Sequence, residues 1–500
     1  MTISTRQKRL NLLMERAKGF WIAYKQNKKG LLGIGIIVFF VLFAFIGPML
    51  TEYDPVNDWD IGGRRVPPTW FRLLPGYGDL VPNLKPVKNI GFMAPDELSL
   101  WELESSSRES LSITHSFEGN PPGSGPGSLL VSLNRGGSSP STMSFNVSKS
   151  FQWEYSAPPK RFRSDVAIKA EGIDGAVLNL NVVLTSPNGD RYTLWERSVT
   201  ADTDWFQPEY KVDSYSLRVK MIFPEGVFAD PAQKIFNGTG EYKFYLGASL
   251  ESVDQGTHST TNVYIDDLGI ELMGTCFGLL GTDQWGRDVY SQLAHGAKIS
   301  LLVGLMSAFI SVSIGLVVGL FAGFMGGTVD ELAMRFADML LVIPFLPLLL
   351  ILIAILGQSI WNIIIVISML GWMGFSRTVR SQVLSLKERA FIEAARAAGG
   401  STIHITLRHI LPNVMGLVYV SLATNVPAAI AAEASLSFLG LGDPHIMSWG
   451  QMLHDIVYYA AIKELYWVVP PGLCIAFLAL SFVMIGFSLD EILNPRLRRR

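Results

Sequence analysis

Long apolar segments divide the 500-residue chain. Six of them, separated by polar residues, lie at roughly 31–50, 299–324, 334–356, 360–375, 414–432 and 467–487. About 20 apolar residues suffice to cross the hydrocarbon core of a bilayer as a helix. The pattern therefore predicts an α-helical integral membrane protein with six transmembrane helices. Pro344 and Pro347 fall inside the third segment, where we expect a kink or a break because proline removes a helical hydrogen bond.

A different pattern fills the long stretch between the first two apolar segments. Apolar and polar residues alternate there with period two, as in 178–182, which is typical of half-buried strands. Turn residues such as 186–190 separate the runs. We predict an insertion over 51–275 that holds an all-β sandwich or jelly roll at roughly 88–273. Its expected strands are 128–133, 151–155, 165–170, 176–185, 191–196, 214–223, 241–246 and 261–272, and the Gly/Pro/Ser-rich stretch 119–128 is expected to be a loop within the domain.

Composition excludes a wholly soluble chain. Hydrophobic residues are 49% of the total and charged residues 17%, whereas charged residues make up roughly 25% of soluble domains. Basic residues cluster at both chain ends and in the loop 377–413. Nucleic acid is one possible partner for basic patches, but these flank apolar spans, so the positive-inside rule explains them better.

The charge pattern therefore predicts a multi-pass protein of the cell membrane with no nucleic-acid partner. The N-terminal segment 1–30, the loop 377–413 and the tail 491–500 are expected in the cytoplasm, and the insertion outside. The first helix, 31–50, is expected to be retained, since it lacks a small-residue cleavage site. Five further helices are expected to form a core over 276–490.

The basic loop contains the clearest local structure. Small residues recur there at helical spacing, which predicts a face that another surface can approach closely. Gly399 or Gly400 suits a left-handed helix stop, Ser401 suits a helix cap, and Pro412 suits the end of a second helix. We expect two short helices at the membrane surface. The small face consists of Phe391, Ala394, Ala395 and Ala398.

Glu393 in this loop has two interpretations. Arg389 and Arg396 lie four residues before and three residues after it, so the three side chains suit an ion-pair ladder on one helix face. Alternatively, the carboxylate serves a partner protein.

Charged residues next to the second apolar segment are a candidate gate. Asp283 suits a helix N-cap, and Arg287 and Asp288 are charged close to the membrane. The alternative is an amphipathic interfacial helix with an internal ion pair.

Two polar residues lie within the fifth apolar segment or at its end. Glu433 is a functional candidate because an ionisable group at membrane depth is costly. The alternative places it at the water interface, paired with a neighbour. Asn425 either lines a polar pathway or forms a hydrogen bond between helices.

The order Glu-Ala-Ala, Gly, Ile-Leu-Pro in the basic loop resembles the loop by which permease subunits of ABC importers contact their ATPase. The matching residues are Glu393, Ala394, Ala395, Gly399, Ile410, Leu411 and Pro412. Segments 280–289 and 433–450 resemble the dipeptide/oligopeptide/nickel branch, specifically its C-type permease. The resemblance covers roughly 19–52 and 280–496, but not the insertion.

This resemblance implies the type I ABC importer permease fold and an ATP-driven importer, for peptides above all. It implies a homologous second permease, two ABC ATPase subunits and an extracytoplasmic solute-binding protein as partners in the lipid bilayer. Glu393 and Gly399 inherit the coupling role. The chain has no G-x-x-x-x-G-K-[ST] segment, so ATP and Mg²⁺ are expected on the ATPase subunits. No catalytic residue, metal site or cofactor of its own is expected.

Two other classes of function remain open from the residues. One is a membrane-anchored binding or sensing protein whose β-sandwich recognises a glycan or a peptide. The other is a membrane hydrolase with a glycan-binding insertion. Dipeptides, longer peptides, nickel chelates and sugars all remain candidate substrates.

Overall fold

The computed structural model divides the chain into two compact units. The first combines Met1–Trp59 with Asp288–Arg500, and the second is Asp60–Arg287. We call them the membrane unit and the β-unit. Most of the basic leader, most of the loop at 119–128 and the end of the tail lie outside the described residues. The described residues are 18, 21, 22, 24–87, 90–106, 111–118, 127–135, 142–252 and 259–493.

The membrane unit is helical. Among the residues that the structure describes, five stretches are long and apolar enough to cross a membrane. They contain five of the six predicted segments: Lys28–Leu50, Val289–Met325, Ile360–Lys387, Thr402–Phe438 and Leu465–Ile492. We label the helices α1 (Lys28–Ile46), α2 (Val289–Met325), α3 (Gly327–Val342), α4 (Phe345–Leu356), α5 (Ile360–Gly371), α6 (Met373–Lys387), α7 (Ala390–Ala397), α8 (Thr402–Ile405), α9 (Leu411–Phe438), α10 (Trp449–Tyr458) and α11 (Leu465–Leu493).

The remaining predicted segment, 334–356, is broken. Helices α3 and α4 meet at 92°, and the count of spans becomes six if this bent pair is one of them. Pro344 caps α4 with φ −57° and ψ 123°, outside helical geometry. The break expected at this proline is confirmed.

The basic loop is shorter than the predicted 377–413. Helix α6 continues to Lys387 because Phe375, Val379 and Val383, four residues apart, bury one face of an amphipathic helix. The predicted second short helix is not separate from the span that follows it, since α8 joins α9 through a π-turn at Thr406–Ile410. Pro412 therefore stands in the first turn of α9, where its missing N–H costs little, and the predicted helix end at this residue is wrong.

Helices α2 and α6 approach each other along a glycine seam. A methyl group added at Gly315 would lie 2.7 Å from Trp372 O, one at Gly319 would lie 2.5 Å from Ser376 O, and one at Gly323 would lie 2.8 Å from Val383 Cβ. Small residues four apart allow such close backbone approach in membrane helices. The seam fixes α6, and with it the start of the basic loop, against α2.

The β-unit is an antiparallel sandwich, as predicted. One sheet has the order β1-β4-β10-β6-β7 and the other β2-β3-β11-β5-β8, with β9 paired to β5. The strands are β1 (Glu102–Ser105), β2 (Leu111–Ser116), β3 (Ser128–Arg135), β4 (Thr142–Trp153), β5 (Arg161–Glu171), β6 (Ala176–Thr185), β7 (Arg191–Val199), β8 (Thr203–Phe206), β9 (Val212–Asp213), β10 (Gly240–Ser252) and β11 (Ser259–Met273). A single apolar core, which includes Trp153, Trp195 and Phe244, lies within this unit.

One predicted strand, 214–223, is wrong. The segment instead contains a short helix, Leu217–Lys220, and then turns. Val219 and Phe223 are buried, while Met221 and Ile222 between them are exposed. Their spacing of four residues suits one face of a helical turn better than one face of a strand.

The β-unit begins and ends about ten residues later than the predicted 51–275, because its first and last segments bond to each other. Asp60 N donates to Trp285 O at 2.9 Å, Arg65 N to Asp283 O at 2.9 Å, and Thr282 N to Val66 O at 2.9 Å. We call residues 60–69 and 277–287 the neck. These residues are more than 200 positions apart in sequence, so no local pattern predicts the pairing.

A buried charge holds the neck to the sandwich. Arg161, at the start of β5, binds Asp213 at 2.7 Å and also pairs with Asp60 of the neck. Burial alone would lower the pKa of Arg161, but the bonds to Asp213 and Asp60 outweigh it and raise the pKa above its usual value. The guanidinium also lies 4.8 Å from the ring centre of Tyr215.

Candidate functional site

Helix α7 ends as the glycine pattern predicts. Gly399 has φ +82°, its N–H donates to Arg396 O at 3.0 Å, and the Gly400 N–H donates to Ala395 O at 3.1 Å. These two bonds form a Schellman motif, which satisfies carbonyls left open at a helix end. Ser401 then caps α8 by accepting from His404 N at 3.3 Å.

Two isoleucines attach the loop to the helices behind it. Ile392 of α7 and Ile405 of α8 are buried, and both belong to an apolar cluster with side chains of α2, α6 and α9. The rest of α7 is largely exposed, including Ala394 and, in part, Ala395. The loop is therefore a rigid projection with a small-residue surface. We call residues 390–401 the coupling loop, after the role that the resemblance implies for them.

The ion-pair ladder expected around Glu393 does not form. Glu393 is exposed and, among the described residues, makes no ion pair with either arginine. Arg396 instead lies over the ring of Phe324, 6.0 Å from its centre. An aromatic face attracts a guanidinium, so Arg396 makes this contact in place of one with Glu393. The Glu393 carboxylate is exposed and has no ion-pair partner among the described residues.

Two ion pairs that the sequence analysis missed connect α3 to α6. Arg380 binds Asp330 through two nitrogens, the longer bond being 2.5 Å from Nη2 to Oδ2. Arg377 pairs with Asp338, about two turns further along α3. The partners are about 40 to 50 residues apart in sequence, so helical spacing rules do not reveal them.

The charged residues before α2 have structural roles that differ from the predicted ones. Asp288, and not Asp283, caps α2, accepting from Tyr290 N at 3.1 Å and Ser291 N at 3.2 Å. Segment 280–287 is not a helix. Gly286 of this segment has φ +73°, and such left-handed geometry favours a turn over a helix.

Asp283 and Arg287 form the ion pair of this turn. The Arg287 Nε lies 2.6 Å from Asp283 Oδ2, and both side chains are buried. The other carboxylate oxygen accepts the backbone N–H of Trp285 at 2.8 Å and that of Arg287 at 2.9 Å. These bonds shape the neck and give both charges a structural role. A gate at these residues stays a prediction.

Glu433 of α9 is buried within the membrane unit, not at its surface. Its Oε1 accepts from Ser437 Oγ and Ser448 Oγ, each at 2.7 Å. Ser448 also caps α10 by accepting from Gln451 N at 3.2 Å. Glu433 therefore connects α9 to the start of α10. Sequence reasoning selected the residue but not its partner fifteen positions later.

Asn425 makes a bond within its own helix, from Nδ2 to Ser421 O at 2.8 Å, and not between helices. It also lines a cavity of about 270 Å³ between α2, α4, α5 and α9. Ser311 and small residues line the same cavity: Ala308, Gly371, Ala428 and Ala429. The cavity is thus narrow and partly polar.

Family models match both parts of the chain that form the membrane unit. A model of the inner membrane component of binding-protein-dependent transport systems matches residues 315–499. A second model, the N-terminal transmembrane domain of oligopeptide transport permease C, matches residues 16–68.

Curated relatives agree with these matches. The chain is 42% identical over 222 residues to the oligopeptide transport system permease protein OppC of Haemophilus influenzae, covering 44% of this chain and 71% of the relative. The chain belongs to the family of binding-protein-dependent transport permeases. The permease is also 38% identical over 220 residues to the dipeptide transport system permease protein DppC of Bacillus subtilis, covering 44% of this chain and 69% of the relative.

A solved structure of the inward-facing MetNI methionine ABC transporter is also similar to the permease. It is 20% identical with a TM-score of 0.33, covering 42% of this chain and 97% of that chain. The β-unit lies almost entirely between the two segments that the family models match.

Proposed function

We propose that the permease is the membrane subunit of an ATP-driven importer of peptides. Family membership and two relatives that are named as oligopeptide and dipeptide transport permeases support this substrate class. The chain moves substrate and carries out no catalytic step of its own. ATP and Mg²⁺ bind the ATPase subunits.

The structure of the coupling loop carries the proposal. Helix α7 is exposed apart from Ile392 and, in part, Ala395, which hold it to the membrane helices. A rigid helix with an exposed small-residue surface suits a groove on an ATPase, and the unpaired Glu393 suits a donor within that groove. Gly399 keeps the helix short by its left-handed turn.

Rigid connections pass motion of this loop to the bundle. Helix α6 leads into the loop and packs on α2 through the glycine seam. Helix α8 leads out of it and continues into α9. The ion pair between Arg380 and Asp330 connects α6 to α3 as well. Closure of the ATPase dimer thus moves α2, α3, α6 and α9 together and alternates the access of the substrate path.

The complex contains four further components. They are a homologous second permease, two ABC ATPase subunits and an extracytoplasmic solute-binding protein. The coupling loop and both chain ends face the cytoplasm, and the β-unit lies outside. Asn425 and its cavity border the substrate path, and Glu433 positions α10 beside it.

Substitutions in the coupling loop test this function. Glu393→Lys reverses the charge of this side chain. Gly399→Trp adds a large side chain at a position where no atom lies within 4 Å of the new Cβ. Both variants are expected to remain in the membrane at normal levels and to lose peptide uptake and substrate-stimulated ATPase activity. Uptake and ATP hydrolysis are measured in the complete complex reconstituted in vesicles.

Matched controls separate docking from general damage. Glu388→Lys makes the same charge change at an exposed site outside α7. Gly357→Trp adds the same bulk at a glycine that also has positive φ and open surroundings, but in the α4–α5 connection. Full uptake with normal ATPase stimulation in both coupling-loop variants contradicts the proposed role, as does failure of the purified chain to recover an ATPase.

A further inference from the structure

Two exposed apolar loops belong to the β-unit. The first, residues 69–79, follows the first segment of the neck, and the second, residues 217–228, follows β9. Leu73 of the first loop is 86% exposed, and Phe228 of the second is 92% exposed. Neither side chain belongs to the apolar core of the sandwich.

The first loop is an ordered aromatic surface. The Trp70 and Phe71 rings are 4.6 Å apart, and the Phe71 and Tyr77 rings are 5.4 Å apart. The Trp70 Nε1 donates to Leu279 O at 2.9 Å. Leu73 and Leu279 are both exposed. Satisfied polar groups on exposed aromatic rings are typical of residues at a membrane–water interface.

The second loop is equally apolar and is anchored at its base. Val219 and Phe223 are buried, which leaves the other apolar side chains outside. Tyr215, just before the loop, lies 5.3 Å from the Arg64 guanidinium of the neck. The exposed set is Leu217, Met221, Ile222, Val227 and Phe228.

Both loops lie at the neck end of the sandwich. Thr69 N donates to Gly278 O at 3.0 Å, which places the first loop on the neck itself. Strand β9 pairs with the first residues of β5, Asp213 opposite Arg163, which places the base of the second loop there. Strand β5 has 11 residues. At about 3.3 Å per residue, its other end is about 33 Å away.

The neck is also where the chain passes into the membrane helices. Arg287 is followed directly by Asp288, the cap of α2. On the other side, residues 51–59 lead from the first span to Asp60. Covalent continuity therefore holds this end of the β-unit close to a bilayer at all times, which gives the lipid a high effective concentration.

We propose that the two apolar loops insert into the interfacial region of the bilayer and seat the β-unit on the lipid surface. Phe, Leu and Met side chains enter the boundary between headgroups and acyl chains, and Trp70 and Tyr77 lie at headgroup level. The exposed basic side chains of Arg72 and Arg218 contact lipid phosphates. This seating is independent of the proposed ATPase coupling.

Site-specific fluorescence in the full chain tests the proposal. Cys276→Ser and Cys474→Ser remove the native thiols, and a single environment-sensitive label is attached at Leu73→Cys or Phe228→Cys. Asp174→Cys is the control, because Asp174 is exposed in the turn at the far end of β5. Each chain is reconstituted in phosphatidylethanolamine–phosphatidylglycerol vesicles whose lipids carry a nitroxide at the headgroup or on the acyl chain.

The labels at 73 and 228 are expected to emit at shorter wavelength than the label at 174 and to lose fluorescence to the nitroxide lipids. Leu73→Glu is expected to reduce the quenching at 228. Equal, weak quenching at all three positions overturns the proposal. Protection of 73 and 228 that arises only after solute-binding protein is added also overturns it, since a protein then covers the loops. Glu393→Lys should leave the quenching unchanged, which separates this test from that of transport.

Discussion

The sandwich core of the β-unit and the α2–α6 contact of the membrane unit bury side chains of different size. In the β-unit, Trp153 and Trp195 are fully buried. In α2 the contact with α6 is made by Gly315, Gly319 and Gly323, whereas Phe309 of the same helix is 61% exposed. Large side chains are buried elsewhere in the membrane unit, so the contrast concerns the α2–α6 contact.

The difference follows from the solvent around each unit. Water drives large apolar side chains into the sandwich core. Lipid tails are as apolar as leucine, so membrane helices gain little by hiding such side chains and associate instead through close packing and interhelical hydrogen bonds. In line with this, Ser311 Oγ of α2 donates to Ser368 O of α5 at 3.2 Å.

The largest effect is expected for a buried aromatic in the β-unit. Trp153→Ala removes a ring packed against Tyr155 and Phe236, at 5.2 and 5.3 Å, and should destabilise the β-unit by about 3–5 kcal/mol. Pulse proteolysis of the full chain in urea measures the change. Phe117→Ala, at a site of the β-unit that is 77% exposed, is the control and should alter stability by no more than about 0.5 kcal/mol. Equal losses in both variants would show that the core is not what stabilises this unit.

A smaller effect is expected in the membrane unit, where the substitution adds atoms to a close contact instead of removing them. Gly319→Ala adds one methyl 2.5 Å from Ser376 O, and such overpacking should cost about 1–3 kcal/mol. Gly35→Ala in α1 adds the same methyl with nothing within 4 Å, and should be neutral or stabilising by up to about 1 kcal/mol. The thermal midpoint of the detergent-solubilised permease, followed by its monodisperse fraction, separates the two. Identical thermal midpoints would contradict the close packing of α2 and α6 at the glycine seam.

The smallest effect is expected for the ion pair between α3 and α6. Arg380→Gln leaves Asp330, whose side chain is only 14% exposed, without its partner, and should cost up to about 1 kcal/mol. Asp330→Asn in the same chain should recover most of this loss. Arg335→Gln breaks the exposed pair with Glu331 on the same helix and should change the midpoint little. A loss from Arg380→Gln that the second substitution does not reverse would point to packing instead of charge.

Alternation predicted some strands and missed the start of others. The expected strand 176–185 is confirmed as β6, where burial alternates as far as Val182. Strand β4 begins nine residues before the predicted 151, although Met143, Phe145 and Val147 alternate there with polar residues. The segment 214–223 alternates as well, yet Val219 and Phe223 form a helical face. Alternation over a few residues does not distinguish these cases.

Helix ends in the coupling loop were predictable because their chemistry is local. Gly399 needs a left-handed backbone, and Ser401 needs only its own side chain and the next turn. The surroundings of Glu393 were not predictable, because the ring that holds Arg396 comes from α2. The length of the loop also depended on distant residues, since the α2 glycines stabilise α6 as far as Lys387.

Periodicity, proline breaks and capping residues specify helices, strands and the sites where they stop, since each acts over one or two turns of chain. These local patterns were enough to predict a helical protein with several spans, an inserted sandwich and a basic loop whose first helix ends at a glycine. The neck pairing, the Arg161–Asp213 bond, the Arg380–Asp330 bond and the Glu433–Ser448 bond join elements distant in sequence. Such contacts depend on which surfaces meet after the elements pack, and no short-range pattern contains that information.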